Sequence, residues 1–181
     1  MNIFLTVDIE EWFHTNWFDS NDIFDKYYGG KEPVTDVLTT TQSLIELFDG
    51  YNVNATFFLL GETAIKYPDI VDVLEESQHE LACHGFYHNK IYLDDIEFLL
   101  DVRKFKKEVK SDVNGFRFSN FSYSDKKFQM LVKEGFLYDS SVVPCLKIPG
   151  WYGESNAPLE PYKIKPSNTM EIMEFPLSVL P

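Results

Sequence analysis

Apolar runs alternate with helical segments along most of this 181-residue chain, and that alternation constrains the fold more than any other feature of the sequence. Strands are predicted at residues 2–8, 54–60, 80–83, 115–117 and 136–138, and helices at about 38–50, 64–77 with a break near Pro68, 94–110 and 126–134. Repeated strand–helix alternation is typical of a parallel sheet or a barrel. The sequence therefore predicts an α/β fold.

Length and composition favour one domain that covers residues 1–181. A chain of this length with 44% hydrophobic residues can fill one core and is too short for two comfortable ones. Its formal net charge of -13 disfavours binding to nucleic acids or to anionic membranes. The two cysteines, Cys83 and Cys145, are too few for a disulfide framework, and Cys83 is expected to be a buried thiol.

The chain begins directly with a strand pattern rather than with a secretion signal. Its apolar runs are all shorter than the roughly eighteen residues that a membrane-spanning helix needs. We therefore expect a cytoplasmic protein without a membrane span. The sequence does not indicate an oligomeric state.

Two segments break the strand–helix alternation. Residues 12–28 hold seven aromatic residues without a clear helical or strand period, and residues 144–168 carry five prolines and two glycines. Both are predicted to be irregular loops. Long loops on an α/β scaffold often frame a site, so specificity is expected to depend on these two segments.

His84 and His88 are candidate metal ligands, because imidazoles four positions apart can point to one side and share an ion. The alternative is that two surface or core histidines have this spacing by chance. The prediction gains weight from the acidic run at residues 8–11, because the carboxyl ends of parallel strands meet at one edge of the sheet. Two imidazoles and one carboxylate leave an open coordination position, as at a catalytic site; zinc is the default, with cobalt, nickel or iron as alternatives.

Asp8 and Glu10 are expected to face the same side of the first strand, with Ile9 pointing into the core and Glu11 pointing away. One acid would bind the metal, and the other would take a proton from the attacking water. The alternative is a pair of surface acids that cap a helix or face solvent.

Arg117 and Asp139 follow the predicted fourth and fifth strands. Arg117 would orient Asp8 through a charged hydrogen bond, with Asp139 holding Arg117 in turn. An ordinary ion pair at a strand end is the alternative.

Four ordered motifs resemble those of the NodB-homology polysaccharide deacetylases of carbohydrate esterase family 4. They are Thr6-Val7-Asp8-Ile9-Glu10, His84-Gly85-Phe86-Tyr87-His88 after Gln78-His79-Glu80, Gly115-Phe116-Arg117-Phe118-Ser119, and Tyr138-Asp139-Ser140-Ser141. The opening Val-Asp-Ile-Glu-Glu-Trp-Phe-His is most similar to a subgroup associated with exopolysaccharide synthesis. The resemblance implies a deformed (β/α) barrel, a divalent metal and hydrolysis of N-acetyl groups on a hexosamine.

The resemblance also implies roles for single residues. Asp8 would be the catalytic base, Arg117 and Asp139 its supports, and the backbone N–H near Asn120 a donor to the oxyanion. Glu10, His84 and His88 would be the metal ligands, while Trp12 and Trp151 would contact the sugar.

The chain departs from the family pattern in three ways. Many members have two adjacent aspartates, whereas Asp8 and Glu10 are two positions apart; Gly85 replaces a serine or threonine, and Ser119 replaces a proline. The spacing of the acids leaves metal identity and geometry open.

The family's last motif, a leucine and a histidine that supply the general acid, would follow residues 174–179, and the chain stops at Pro181. We therefore expect a barrel that is incomplete at its C-terminus. His14 is a candidate replacement for the missing acid.

The sequence is compatible with three functions. The first is a metal-dependent carbohydrate N-deacetylase that acts on a polysaccharide or a glycan precursor and is weakened or inactive in this form. The second is a glycan-binding relative without turnover, and the third an amidase of small linear or cyclic amides. The expected partner is a glycan or an N-acetylated sugar substrate.

Overall fold

The structure is a computed structural model that describes residues 3–14, 20–31, 35–88 and 94–179. Its strands are β1 (Leu5–Ile9), β2 (Ala55–Leu59), β3 (Glu80–Cys83), β4 (Gly115–Phe116), β5 (Tyr138–Asp139), β6 (Tyr162–Ser167) and β7 (Met170–Glu174). Its helices are α1 (Ser20–Tyr28), α2 (Val37–Gly50), α3 (Gly61–Lys66), α4 (Asp69–Glu76), α5 (Asp95–Val109) and α6 (Asp125–Lys133), with a short 3₁₀ turn at Ser119–Phe121.

All seven strands form one sheet in the order β1-β2-β3-β4-β5-β7-β6. The pairings from β1 through β5 to β7 are parallel, and only β6 pairs antiparallel, with β7. The predicted α/β fold is confirmed. Because successive parallel strands share one direction, their carboxyl ends gather the loops that build the site.

The first three strands owe their burial to continuous apolar runs, as expected for parallel strands covered on both faces. In β2, Phe57, Phe58 and Leu59 are fully buried. Ile70 and Leu74 of α4 and Phe105 of α5 are buried in the same core, so the amphipathic helices close over the sheet. This packing fixes the strand ends relative to one another.

α5 begins with a capping box. The carboxylate of Asp94 accepts hydrogen bonds from the backbone N–H groups of Ile96 and Glu97, and the Glu97 carboxylate accepts one from the N–H of Asp94. The cap fixes the start of a helix whose next turns carry the buried Asp101 toward the histidine loop, residues 84–88.

Two predictions of local structure were wrong. The segment 12–28 contains α1, and the segment 144–168 contains β6, in which Tyr162, Ile164 and Pro166 alternate with two exposed lysines at the strand period. The predicted break near Pro68 is present: α3 ends before this proline, which disfavours helical geometry in the residue before it, and α4 follows. Within the described residues, none of the helices has the length and apolar character needed to cross a membrane.

Candidate active site

A cavity of about 700 Å³ opens at the carboxyl ends of the strands. Its lining combines ionisable side chains of β1 and the histidine loop with aromatic and apolar side chains of two later loops. The lining residues are Asp8, Glu10, Glu11, Trp12, His14, His84, His88, Asn120, Phe121, Ile148, Pro149, Gly150 and Trp151. The cavity therefore gathers most of the residues predicted from sequence as candidates for chemistry.

The end of β1 distributes its acids as strand alternation predicts. Ile9 is buried in the core, while Asp8 and Glu10 are half-buried and line the cavity. The Glu11 carboxylate turns to the side of α3, where it accepts hydrogen bonds from Lys66 Nζ and Tyr67 Oη, both at 3.1 Å. Glu11 thus anchors the end of β1 while its neighbours face the cavity.

Glu10, His84 and His88 form a group of potential metal ligands. One donor atom from each lies within 4.8 Å of the others, and Glu10 Oε2 is 3.0 Å from His88 Nε2. Glu10 Oε2 is buried and accepts no hydrogen bond from the part of the chain that the structure describes. Because an unpaired buried carboxylate oxygen is costly, a cation at this point would resolve it.

His84 is oriented for coordination by its second ring nitrogen. Its Nδ1–H donates to the backbone carbonyl of Arg117 at 2.8 Å, which leaves the Nε2 lone pair directed toward the acids. Burial lowers the pKa of His84, and the Asp8 carboxylate only partly offsets this, so the ring stays neutral. Two imidazoles and one carboxylate fit a divalent ion such as zinc.

The histidine loop is shaped by hydrogen bonds to its backbone. Gly85 has φ +87°, and the buried Asp101 accepts from the N–H groups of Phe86 at 2.7 Å and Tyr87 at 3.1 Å. The His88 N–H donates to Glu62 at 3.1 Å. The carboxylates of Asp101 and Glu62 therefore fix the backbone of the loop, since Gly85 has no side chain that could form such a hydrogen bond.

Arg117 joins the first strand to the fifth. Its guanidinium donates to Asp8 Oδ1 at 2.6 Å, to Thr6 Oγ1 at 3.0 Å, and to Ser140 Oγ and the Ser140 carbonyl at 2.8 and 2.7 Å. Asp8 Oδ2 lies 3.9 Å from His84 Nε2. The predicted neighbourhood of Asp8 and Arg117 is therefore present, with the second Asp8 oxygen left on the ligand side.

Asp139 lies beside this network, and its hydrogen bonds go elsewhere. It accepts from Ser141 Oγ at 3.0 Å and is the register partner of Glu174, while the acceptors of Arg117 in this segment are the carbonyl and hydroxyl of Ser140. Burial, and next the Glu174 charge, raise the pKa of Asp139 well above its ordinary value. Its predicted support of Arg117 stays a prediction, and any such support passes through Ser140 or through charge alone.

The predicted substrate contacts share the cavity. Trp12 is 52% exposed and Trp151 is 37% exposed, so both offer ring surface to a ligand. Asn120 lies in the 3₁₀ turn with φ 60°, a left-handed conformation that asparagine tolerates better than most residues. Its predicted part in holding an oxyanion stays a prediction.

His14 lies against the ligand group. Its ring stacks parallel to that of His88 at 6.2 Å, its Nδ1 accepts from the Glu11 N–H at 3.0 Å, and its Nε2 is 3.5 Å from Glu62. Burial, and next the charge on His88, lower the pKa of His14 to about 4. A ring that is neutral at pH 7 is poorly suited to the acid role considered for it.

Sequence reasoning missed Ser140, Glu174 and Glu62. Ser140 follows Asp139 directly, but a serine at a strand end carries no specific signal. Glu174 is isolated in sequence from the other site residues, and only the register of β7 on β5 brings it to them.

Comparisons with known proteins show to which family model and which proteins the chain is similar. The family model described as polysaccharide deacetylase matches residues 23–138. A peptidoglycan-N-acetylglucosamine deacetylase from Bacillus cereus is 39% identical over 51 residues, 28% of this chain and 18% of that protein. A peptidoglycan deacetylase from Helicobacter pylori is 24% identical over 128 residues, 64% of this chain and 44% of that protein.

A solved structure from Mycobacterium smegmatis, assigned to the polysaccharide deacetylases, superposes with a TM-score of 0.70 at 18% identity. It covers 97% of this chain, which spans 58% of its length. At that identity the likeness shows the fold. The matches to these three proteins span 18%, 44% and 58% of their lengths, less than two thirds in each case.

Proposed function

The chain belongs to the polysaccharide deacetylase family, and from that membership we propose that it is a metal-dependent hydrolase of N-acetyl groups on hexosamine residues of a glycan. The observation that carries the proposal is the meeting of Asp8, its partner Arg117 and the ligand group Glu10, His84 and His88 at one cavity. The curated relatives, named for peptidoglycan, support a glycan as the substrate.

A divalent ion held by Glu10, His84 and His88 would supply Lewis-acid chemistry, lowering the pKa of water and polarising the amide carbonyl. Zinc suits two neutral imidazoles and one carboxylate, with cobalt, nickel or iron as alternatives. The orphaned Glu10 Oε2 and the neutral His84 are the features that support a resident metal.

Asp8 is the proposed general base. Arg117 holds one Asp8 oxygen at 2.6 Å, which leaves Oδ2 to take a proton from water as the water oxygen attacks the acetyl carbonyl carbon. Arg117 itself is fixed by Thr6 and Ser140, so Asp8 has one orientation. Cleavage of the C–N bond then releases acetate and leaves the amine on the sugar.

The apolar wall of the cavity supports a sugar ligand. Trp12 and Trp151 expose their rings there, and Phe121 and Ile148 extend the surface between the charged centre and solvent. Aromatic faces contact the C–H faces of pyranose rings, so this wall would hold the sugar while its N-acetyl group reaches the ligand group.

The test combines metal content with acetate release. Purified protein should hold about one equivalent of a transition metal by elemental analysis and release acetate from N-acetylglucosamine oligomers. His88→Ala should lose the metal, and Asp8→Asn should keep it and lose turnover by at least roughly 100-fold, as expected of a general base. Asp112→Asn, the same change at an exposed loop position, is the matched control.

Full activity in the Asp8→Asn protein would refute the assignment of the base. Saturable binding of the oligomers by calorimetry, with metal bound and no acetate formed, would favour a glycan-binding relative. Acetate release that persists without metal after chelation would refute the role of the ligand group.

A further inference from the structure

Two buried carboxyl groups meet beneath the Arg117 network. Asp139 ends β5, Glu174 ends β7, and the two residues are register partners on neighbouring parallel strands. Both are fully buried. Register partners project from the same face of a sheet, so the two side chains are direct neighbours.

The hydrogen bonds of this pair leave two oxygens unaccounted for. Glu174 Oε1 accepts from the N–H groups of Ser141 at 3.1 Å and Val142 at 2.9 Å, and Asp139 Oδ2 accepts from Ser141 Oγ at 3.0 Å. Among the described residues, Asp139 Oδ1 and Glu174 Oε2 are buried and have no hydrogen-bond partner. A proton on one of the two neighbouring carboxyl groups would let it donate to the other and so satisfy both oxygens.

Glu174 also fixes the segment Ser140–Val142, which accepts hydrogen bonds from Arg117. Glu174 binds the backbone of Ser141 and Val142, the two residues that follow Ser140. Ser140 in turn accepts two hydrogen bonds from Arg117, one at its carbonyl and one at its hydroxyl. A continuous chain of short contacts therefore runs from the pair through Ser140 and Arg117 to Asp8.

We infer that Asp139 and Glu174 share one proton and act as a positioning unit, holding Ser140 against Arg117 and so setting the orientation of Asp8. Glu174 is a positioning residue rather than a catalytic one, because it contacts neither the ligand group nor the cavity wall. The effect on rate rests on the proposed function, whereas the shared proton and the hydrogen bonding of Arg117 do not.

The charged and titratable groups around the pair are Arg117, Tyr123 and Tyr162. Arg117 lowers the pKa of both carboxyls, but burial outweighs it, raising the pKa of Glu174 to about 7 and that of Asp139 well above its ordinary value. Burial and next the Glu174 charge raise the pKa of Tyr162 to about 12. Burial and next the Glu154 charge raise the pKa of Tyr123, so both phenols stay neutral.

These directions fix the sign of the pH dependence. A carboxyl whose pKa is higher in the folded state stabilises the fold fully below its unfolded pKa, near 4, and loses that contribution as pH rises through the folded pKa. The wild-type unfolding constant should therefore rise with pH from about 5 up to the folded pKa of Glu174, about 7, by up to about tenfold per pH unit for one linked proton.

The first test removes this titration while keeping the geometry. Glu174→Gln retains the oxygen that receives both N–H groups and offers its NH₂ to Asp139, so its urea unfolding constant should lose this rise below pH 7. Asp139→Asn should lose the same linkage. Glu171→Gln, the same change at an exposed position of β7, should follow the wild type.

The second test measures the hydrogen bonding of Arg117 through the exchange protection of its Nε–H. The chain has two arginines, and the Arg103 side chain is 58% exposed while that of Arg117 is 4% exposed, so one protected Nε–H resonance is expected. In Glu174→Ala the exchange protection of this resonance should fall by roughly tenfold or more, since Ser141 and Val142 lose their acceptor. Glu174→Gln should keep it.

Activity supplies the third readout. In Glu174→Ala, kcat should fall with KM and metal content unchanged, and Glu174→Gln should restore kcat and flatten the alkaline limb of the wild-type pH profile. Unchanged pH dependence of unfolding in Glu174→Gln, or full Arg117 protection in Glu174→Ala, would overturn the inference. A wild-type protein that deacetylates no N-acetylhexosamine oligomer would refute the proposed function and leave the first two tests to decide the pair.

Discussion

Replacing Asp101 by alanine should weaken metal binding from outside the ligand group. The Asp101 carboxylate accepts the backbone N–H groups of Phe86 and Tyr87, which lie between the two histidine ligands. Gly85, with φ +87°, gives the loop a left-handed turn and no side-chain hydrogen bond. Without Asp101 the loop loses two of the contacts that fix His88 relative to His84.

The expected loss of stability follows from the burial of the two N–H groups. The Phe86 N–H is in a buried residue, so leaving it unpaired should cost about 1–3 kcal/mol. Tyr87 is 41% exposed, so water can replace its acceptor, and about 1 kcal/mol is expected there. Asp101→Ala should therefore destabilise by roughly 2–4 kcal/mol, and Asp101→Asn, which keeps one acceptor, by about half as much.

Metal affinity is the assay that separates this role from a general loss of stability. Competition with a chromophoric chelator should show affinity reduced by roughly 10- to 100-fold in Asp101→Ala, the usual range for groups that orient ligands. Urea unfolding of the metal-free protein measures the stability term. Glu108→Ala, at an exposed position of α5, is the control and should change stability by less than about 0.5 kcal/mol. Unchanged affinity in a destabilised Asp101→Ala protein would refute the reasoning.

Three further predictions concern the same region. Arg117→Lys keeps the charge but loses the planar guanidinium that donates hydrogen bonds to Asp8, Thr6 and Ser140. In an acetate-release assay kcat should fall roughly 10- to 100-fold with metal content unchanged, whereas the control Arg103→Lys should leave kcat unchanged. Protonation of His14 in the unfolded state should lower the stability of the metal-free protein as pH falls from 6.5 to about 4, the pKa of His14 in the folded state. Compared with His14→Gln in urea unfolding, the wild type should lose up to about 1.4 kcal/mol per pH unit over this range. Gly61→Ala would place Cβ 2.4 Å from Phe86 Cδ2, and thermal unfolding should show a cost of about 1–3 kcal/mol; wild-type stability there would contradict the close packing.

The central part of the site was predictable because its signals are local or periodic. Asp8 and Glu10 follow an apolar strand at the alternating positions, and His84 and His88 follow another strand at ligand spacing. Parallel pairing then brings the two strand ends to the same edge. Arg117 was predicted because it follows a strand and sites form at the carboxyl ends of parallel strands. The register of the sheet places it beside Asp8.

The supporting residues were not predictable for a physical reason. Glu174 reaches the site through the pairing of β7 with β5, a choice among strand partners that no short motif encodes. β6 was overlooked because prolines at 158, 161 and 166 suggested a loop, yet β6 is an edge strand, where a missing N–H is tolerated. Long-range register and edge position are properties of the folded sheet rather than of any window of sequence.

The register of β1 determines the environment of each residue from Asp8 to Glu11. Four consecutive residues enter four environments: Asp8 meets Arg117, Ile9 enters the core, Glu10 joins the ligand group and Glu11 binds Lys66. A shift of one residue in the pairing of β1 would exchange the faces of all four, placing Ile9 in the cavity and two carboxylates in the core. Burial of unpaired charge makes that alternative far less stable. The hydrophobic core that selects the register of β1 therefore also assembles the proposed base and ligand.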